Sequence, residues 1–151
     1  MDYYQDKIAL ITGAASGIGR ALSREIARRG TTVVCTDIDP EGARQTVSLI
    51  KGDGGRAEAV GLDVTQEDEV NRVVEEAAVS HGRLDFMFNN AGIGIGGELR
   101  DMTSDHWRCI VEVNLWGVIH GTTAAYRVMR RQHSGSIINT ASMAGLVPVP
   151  A

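Results

Sequence analysis

"ITGAASGIGR" (11–20) decides the fold. A short apolar run, "KIALIT" (7–12), leads into it, and "GIGRALSREIARRG" (17–30) leads out as a helix with Ile18, Leu22 and Ile26 on one face. Gly13, Gly17 and Gly19 take the spacing G-x-x-x-G-x-G between that strand and that helix. The arrangement suits a tight turn whose backbone approaches a pyrophosphate with no Cβ in the way. The helix then aims its free N–H groups and positive dipole end at the phosphates. Ser16 adds a hydroxyl, and Ile18 stands between the last two glycines. Three glycines alone are weak evidence; between a strand and a helix they carry weight.

The same strand–helix unit recurs. "TTVVCTD" (31–37) is β-branched and reads as a second strand. Asp39 and Pro40 open a helix whose buried stripe is Ala43, Val47 and Ile50, and "GDGG" (52–55) ends it. "RAEAVGLD" (56–63) is a third strand. Thr65, with Asp68 three residues on, is placed to cap a helix carrying Val70, Val73, Val74 and Ala77, which Gly82 closes. "LDFMFNN" (84–90) is a fourth strand, a glycine-rich loop spans 92–97, a long helix covers about 104–132, and "GSIINTAS" (135–142) is a fifth strand. Near-continuous apolar strands alternating with helices predict a Rossmann-like, doubly wound parallel α/β sheet with helices on both faces.

The long helix departs from the usual one-sided stripe. Trp107, Ile110, Val111, Val113, Leu115, Trp116, Val118 and Ile119 run nearly all round its axis, which predicts burial on every side. One face would cover the sheet, and the other would meet either another part of the same chain or, the favoured reading, a second copy in a homodimer or homotetramer. Gly117 and Gly121 would permit close approach.

Composition excludes several functions. Hydrophobic residues make up 43% and charged residues 23%, which suits a globular domain. A net charge of −4 argues against a nucleic-acid partner. Arg130, Arg131 and His133 form the one basic cluster, at a predicted helix end where the dipole favours them. No run is long enough to span a bilayer, and the first residues lack a signal-peptide pattern, so a cytoplasmic protein is expected. The four histidines are scattered, and no metal site is expected. Cys35 and Cys109 read as small buried hydrophobes.

Asp37 ends the second strand, eighteen residues beyond Gly19. A carboxylate there can accept hydrogen bonds from both adenosine-ribose hydroxyls and would repel a 2′-phosphate. Positions 36–39 hold no Arg or Lys, so NAD is expected rather than NADP.

Taken together, "TGAASGIG" (12–19), "LDV" (62–64), "NNAG" (89–92), Asn114 and "IINTAS" (137–142) resemble the short-chain dehydrogenase/reductase family in its classical form. The resemblance is collinear over the whole chain. It implies an NAD(P)-dependent oxidoreductase that moves a hydride between the nicotinamide and a secondary alcohol or ketone. It implies that Asp63 meets the adenine amino group with Val64 beside it. Asn90, Ala91 and Gly92 would line the ribose and the sheet edge. Ser142 would hydrogen-bond the substrate oxygen, and Asn114 would anchor a proton-relay water. The family's remaining pair, a tyrosine and a lysine one helical turn later, has no match: the tyrosines are Tyr3, Tyr4 and Tyr126, and the lysines are Lys7 and Lys51. The expectation is therefore an incomplete dinucleotide-binding domain over 1–151, with the Tyr/Lys helix and substrate lid beyond Ala151. A nucleotide-binding module without turnover is the alternative, and an S-adenosylmethionine methyltransferase is a third class that "NNAG", Asn114 and Ser142 disfavour.

Overall fold

A computed structural model describes residues 3–146. Residues 1–2 and the Pro-spaced run 147–151 lie outside them. Five strands, β1 (Ile8–Thr12), β2 (Thr32–Asp37), β3 (Arg56–Gly61), β4 (Phe86–Asn89) and β5 (Ser136–Asn139), form one sheet in the order β3-β2-β1-β4-β5. Every pairing is parallel, with Ile11 opposite both Cys35 and Phe88. The chain runs outward from β1 to β3, then restarts on the other side of β1 with β4. That reversal is the switch point at which open α/β sheets bind ligands.

The helices α1 (Gly17–Arg28), α2 (Pro40–Gly52), α3 (Glu67–His81), α4 (Ser104–Val111) and α5 (Gly117–Gln132) cover both faces. Strand alternation sorts the core into two layers. Ala9 and Ile11 pack with Ile26, Ala27, Val47 and Ile50 from α1 and α2. Ile8 and Leu10 pack on the opposite face with Val73, Val74, Ala125 and Val128 from α3 and α5. All five residues of β1 are buried, which explains their apolar run.

Asp39 caps α2 as expected, accepting from the Glu41 and Gly42 N–H groups at 3.1 and 3.0 Å, with Pro40 in the first position. Gly82 ends α3 in the left-handed region at φ 76°, where a side chain would be strained. Thr65 does not cap α3. Its hydroxyl donates to Asp63, the helix starts at Glu67, and Gln66 takes the cap position without a side-chain capping bond. Ile18 also departs from its expected buried face: it is exposed on the first turn of α1, whereas Ile26 is buried.

The long helix is continuous but contains a π-turn at Glu112–Trp116, where the Gly117 N–H donates to the carbonyl five residues back. It is not buried all round. Ala124, Ala125, Val128 and Met129 face the core, while Trp107, Val111, Leu115, Trp116 and Ile119 are exposed. The glycines serve the sheet side. A Cβ on Gly117 would lie 2.8 Å from Val64 Cγ2, and one on Gly121 would collide with the buried Asn89 side chain. Gly121→Ala is therefore expected to lower stability by roughly 1–3 kcal/mol through overpacking. Urea unfolding checks this; an unchanged midpoint would mean that α5 shifts without cost.

Two further features bear on chemistry. Asp85 is 5% exposed, accepts from the Ile8 N–H at 3.0 Å, and pairs with Lys7 at 3.3 Å and with Arg83. The cysteines differ, against the expectation that both are buried: Cys35 is buried in β2, but Cys109 is exposed on α4. Burial pushes the Cys35 thiol up to about 11, outweighing a hydrogen bond from Ser23. At pH 7.5 a disulfide reagent should label Cys109 rapidly and spare Cys35, as peptide mapping reads it. Rapid labelling of Cys35 would contradict its burial. The raised value also has a stability consequence. Because the folded state resists ionisation, its contribution is complete below about pH 9 and is lost as pH rises toward about 11.

Candidate functional site

The carboxyl ends of β1, β2, β3 and β4 and the segment after β5 surround a cleft of about 560 Å³. Gly13, Ser16, Gly17, Ile18, Asp37, Asp63, Val64, Asn90, Ala91 and Gly92 all line it. Gly19 lies just behind: a Cβ there would collide with the Gly13 carbonyl, so a bare residue lets α1 close onto the turn. Gly13 and Gly17 have φ of 69° and 51°, left-handed values that glycine adopts freely. A Cβ at Gly17 would point into open space, so its glycine answers to backbone shape.

The turn is held from behind. The Arg20 guanidinium donates to the Ala15 carbonyl and, at 3.0 Å, to the Thr46 hydroxyl, which itself donates to the Ala14 carbonyl at 2.8 Å. Asp37 holds it from the side. One carboxylate oxygen accepts from the Ala15 N–H and the other from the Asp39 N–H, both at 2.9 Å. The carboxylate is thereby fixed at the mouth of the cleft with lone pairs remaining. Asp63 is fixed similarly: its Oδ1 accepts from the Thr65 N–H at 3.0 Å and from the Thr65 hydroxyl at 2.8 Å.

Asn90 joins strands across the switch point. Its Nδ2 donates to the Thr12 carbonyl at 3.1 Å, and its Oδ1 accepts from the Thr140 hydroxyl at 3.2 Å. Asn89, 2% exposed, donates to Asn139 Oδ1 at 2.8 Å and to Thr122 at 3.2 Å.

Asn114 and Ser142 do not line the cleft. Asn114 sits in the π-turn, and its amide clamps one residue of the glycine-rich loop. Oδ1 accepts from the Ile93 N–H and Nδ2 donates to the Ile93 carbonyl, both at 2.8 Å. Ser142 is exposed between β5 and a 3₁₀ turn at Met143–Gly145, where its carbonyl accepts from the Gly145 N–H at 3.2 Å.

Sequence reasoning missed several contributors. Ile38, Leu62, Ile93, Cys109, Val113 and Thr140 also line the cleft. Cys109 and Val113, one helical turn apart, carried a readable signal in that spacing. Thr12 was missed as well: its hydroxyl accepts from the Asn90 and Ala91 N–H groups, both at 3.0 Å. A hydroxyl ending an otherwise apolar strand was the available clue.

The cleft suits a dinucleotide. A turn without side chains suits a pyrophosphate, and the charged side chains lining the cleft, among the described residues, are the carboxylates Asp37 and Asp63. Those can accept from hydroxyls and an amino group. Among the described residues no group of three or more His, Cys, Asp or Glu could hold a metal ion, and no helix is long and apolar enough to cross a membrane.

Sheet order, switch point and glycine turn define a Rossmann-like protein of the nucleotide-binding class. A family model described as short chain dehydrogenase matches residues 7–151. The chain is 38% identical to the 3-oxoacyl-(acyl-carrier-protein) reductase FabG of Thermotoga maritima, over 97% of this chain and 59% of that protein. It is 37% identical to a cyclopentanol dehydrogenase of Comamonas sp., over 99% of this chain and 60% of that protein. A crystal structure of a short chain dehydrogenase/reductase from Burkholderia phymatum in complex with NAD superposes with a TM-score of 0.94 at 35% identity, over 100% of this chain and 54% of that one. The chain belongs to the short-chain dehydrogenase/reductase family, and it spans about three fifths of the length of these curated relatives.

Proposed function

We propose that the polypeptide is an NAD-dependent oxidoreductase acting on a secondary alcohol or ketone, with 1–151 forming its dinucleotide-binding domain. The observation that carries this is the cleft at the switch point, where a bare glycine turn faces two fixed carboxylates. Gly13, Ser16, Gly17, Ile18 and Gly19 would hold the pyrophosphate, Asp37 the adenosine ribose, and Asp63 and Val64 the adenine. Asn90, Ala91 and Gly92 would line the adenosine ribose and the sheet edge beside the cofactor. When bound, the nicotinamide supplies the site that gives or takes the hydride.

The residues of this chain then orient and polarise. Ser142 would donate to the substrate oxygen. Asn114, held in the π-turn by Ile93, would keep the glycine-rich loop in place and anchor a water in the proton path. No Tyr-x-x-x-Lys pair stands in the 151 residues, so turnover is tested on the natural full-length polypeptide. The test is NADH oxidation against a panel of neutral ketones, together with NADH binding. Binding with turnover supports the reading. Binding without turnover on any carbonyl favours the second reading, a nucleotide-binding module. Absence of NADH binding defeats both.

The same reading gives the exposed face of α4 and α5 to a second copy. Trp107, Leu115 and Trp116 would be covered there, and sedimentation should show a dimer or tetramer. A cytoplasmic setting fits the cysteines, which remain free.

A further inference from the structure

We propose that the nucleotide cleft is open at its adenine end, and that it accepts adenine dinucleotides carrying a cationic tether on the exocyclic amine. The proposal rests on the nucleotide reading above. A second cavity of about 400 Å³ lies between α4 and the segment joining β3 to α3. Cys109 and Val113 line both this cavity and the first, so the two share a wall. Asp63 lines the first cavity and Thr65, two residues on, lines the second.

The hydrogen bonding at that junction leaves room for substitution. Thr65 occupies Oδ1 of Asp63, and Oδ2 takes no protein donor among the described residues. Oδ2 therefore needs one N–H from the adenine amine. An N6-alkyl adenine keeps one N–H for that bond and carries its alkyl chain where the other hydrogen was. Past the shared wall, the chain meets Thr65 and Gln66 rather than packed core; Gln66 is exposed.

Charge selects the tether. Asp105 and Glu112 line the second cavity with Arg108. Arg108 is committed to Asp105 at 2.6 Å, and Glu112 has no ion pair among the described residues. The balance is negative, so an ammonium is favoured over a carboxylate.

Titration calorimetry on the natural full-length polypeptide compares NAD with N6-(6-aminohexyl)-NAD and N6-(5-carboxypentyl)-NAD. The aminohexyl compound should bind within fivefold of the Kd for NAD and at least fivefold tighter than the carboxylate. NAD binding with failure of either relation overturns the open groove and leaves the nucleotide reading intact. No binding of NAD itself overturns both. A bromoacetylated tether gives a second readout. The Cys109 thiolate displaces bromide, a carbon–sulfur bond forms, bromide leaves, and the thiol proton passes to solvent. One adduct by intact mass is expected, lost in Cys109→Ser and suppressed by excess NAD. An adduct that NAD does not suppress, or no adduct at all, counts against the shared wall.

Discussion

Replacing Asp37 by alanine should weaken NAD binding by about 10²–10⁴-fold and leave NADP binding unchanged or tighter. Hydrogen bonds to an ionised acceptor are worth about 1.5–3 kcal/mol each, and two ribose hydroxyls would lose theirs. The side chain also holds the turn. Without it, the Ala15 and Asp39 N–H groups lose their acceptors, and the segment that receives the pyrophosphate loosens. A 2′-phosphate meets the opposite situation, because the carboxylate that would repel it has gone. Calorimetric titration of both coenzymes into parent and variant measures the change. An NAD affinity within threefold of the parent would show that Asp37 bonds neither ribose hydroxyl. Asp37→Asn should fall between, since it keeps an acceptor and loses the charge.

Replacing Asp85 by alanine should cost about 3 kcal/mol of stability, the low end for breaking a buried ion pair. The carboxylate gathers three donors at the start of the sheet: the Ile8 N–H, Lys7 and Arg83. Removal leaves the Ile8 N–H without its acceptor beside β1. Lys7 and Arg83 are partly exposed and can turn to water, which keeps the loss from the upper end of the range. For a domain of this size the expected fall in Tm is about 6–12 °C. Thermal unfolding of the natural full-length polypeptide decides it, and a fall below about 3 °C would mean that water replaces the carboxylate. Asp85→Asn should lose less, because an amide oxygen can still accept from Ile8.

Most of the sheet was legible because its signals are local. The apolar runs, Pro40 after Asp39 and the left-handed Gly82 each mark an element by its own chemistry. The cleft was legible for the same reason: Gly13, Gly17, Asp37 and Asp63 end strands or open helices. What escaped depends on distant partners. Thr65 has the right spacing for a cap, but its hydroxyl is drawn to Asp63. Cys109 looks apolar in its run, yet its turn of the helix is exposed. Asn114 stands in an apolar run, yet it is exposed, and its amide is held by the backbone of Ile93, 21 residues away. The all-round apolar helix keeps one side open in the single chain, because periodicity reports composition around an axis, not which neighbours arrive.

The π-turn gives the long helix one residue of slack, and only there. Its i→i+5 bond accommodates one residue more than an α-turn would. Deleting a residue within Glu112–Trp116 would let the helix close to regular winding with its later turns in nearly their old orientation. A deletion between Gly117 and Gly121 has no such slack and would rotate everything beyond it by about 100°. Gly121 would then swing away from Asn89, and a bulkier neighbour would be driven into the space it leaves. Drift in this lineage should therefore permit a one-residue shortening inside the π-turn but keep the residue count between Gly117 and Gly121 fixed.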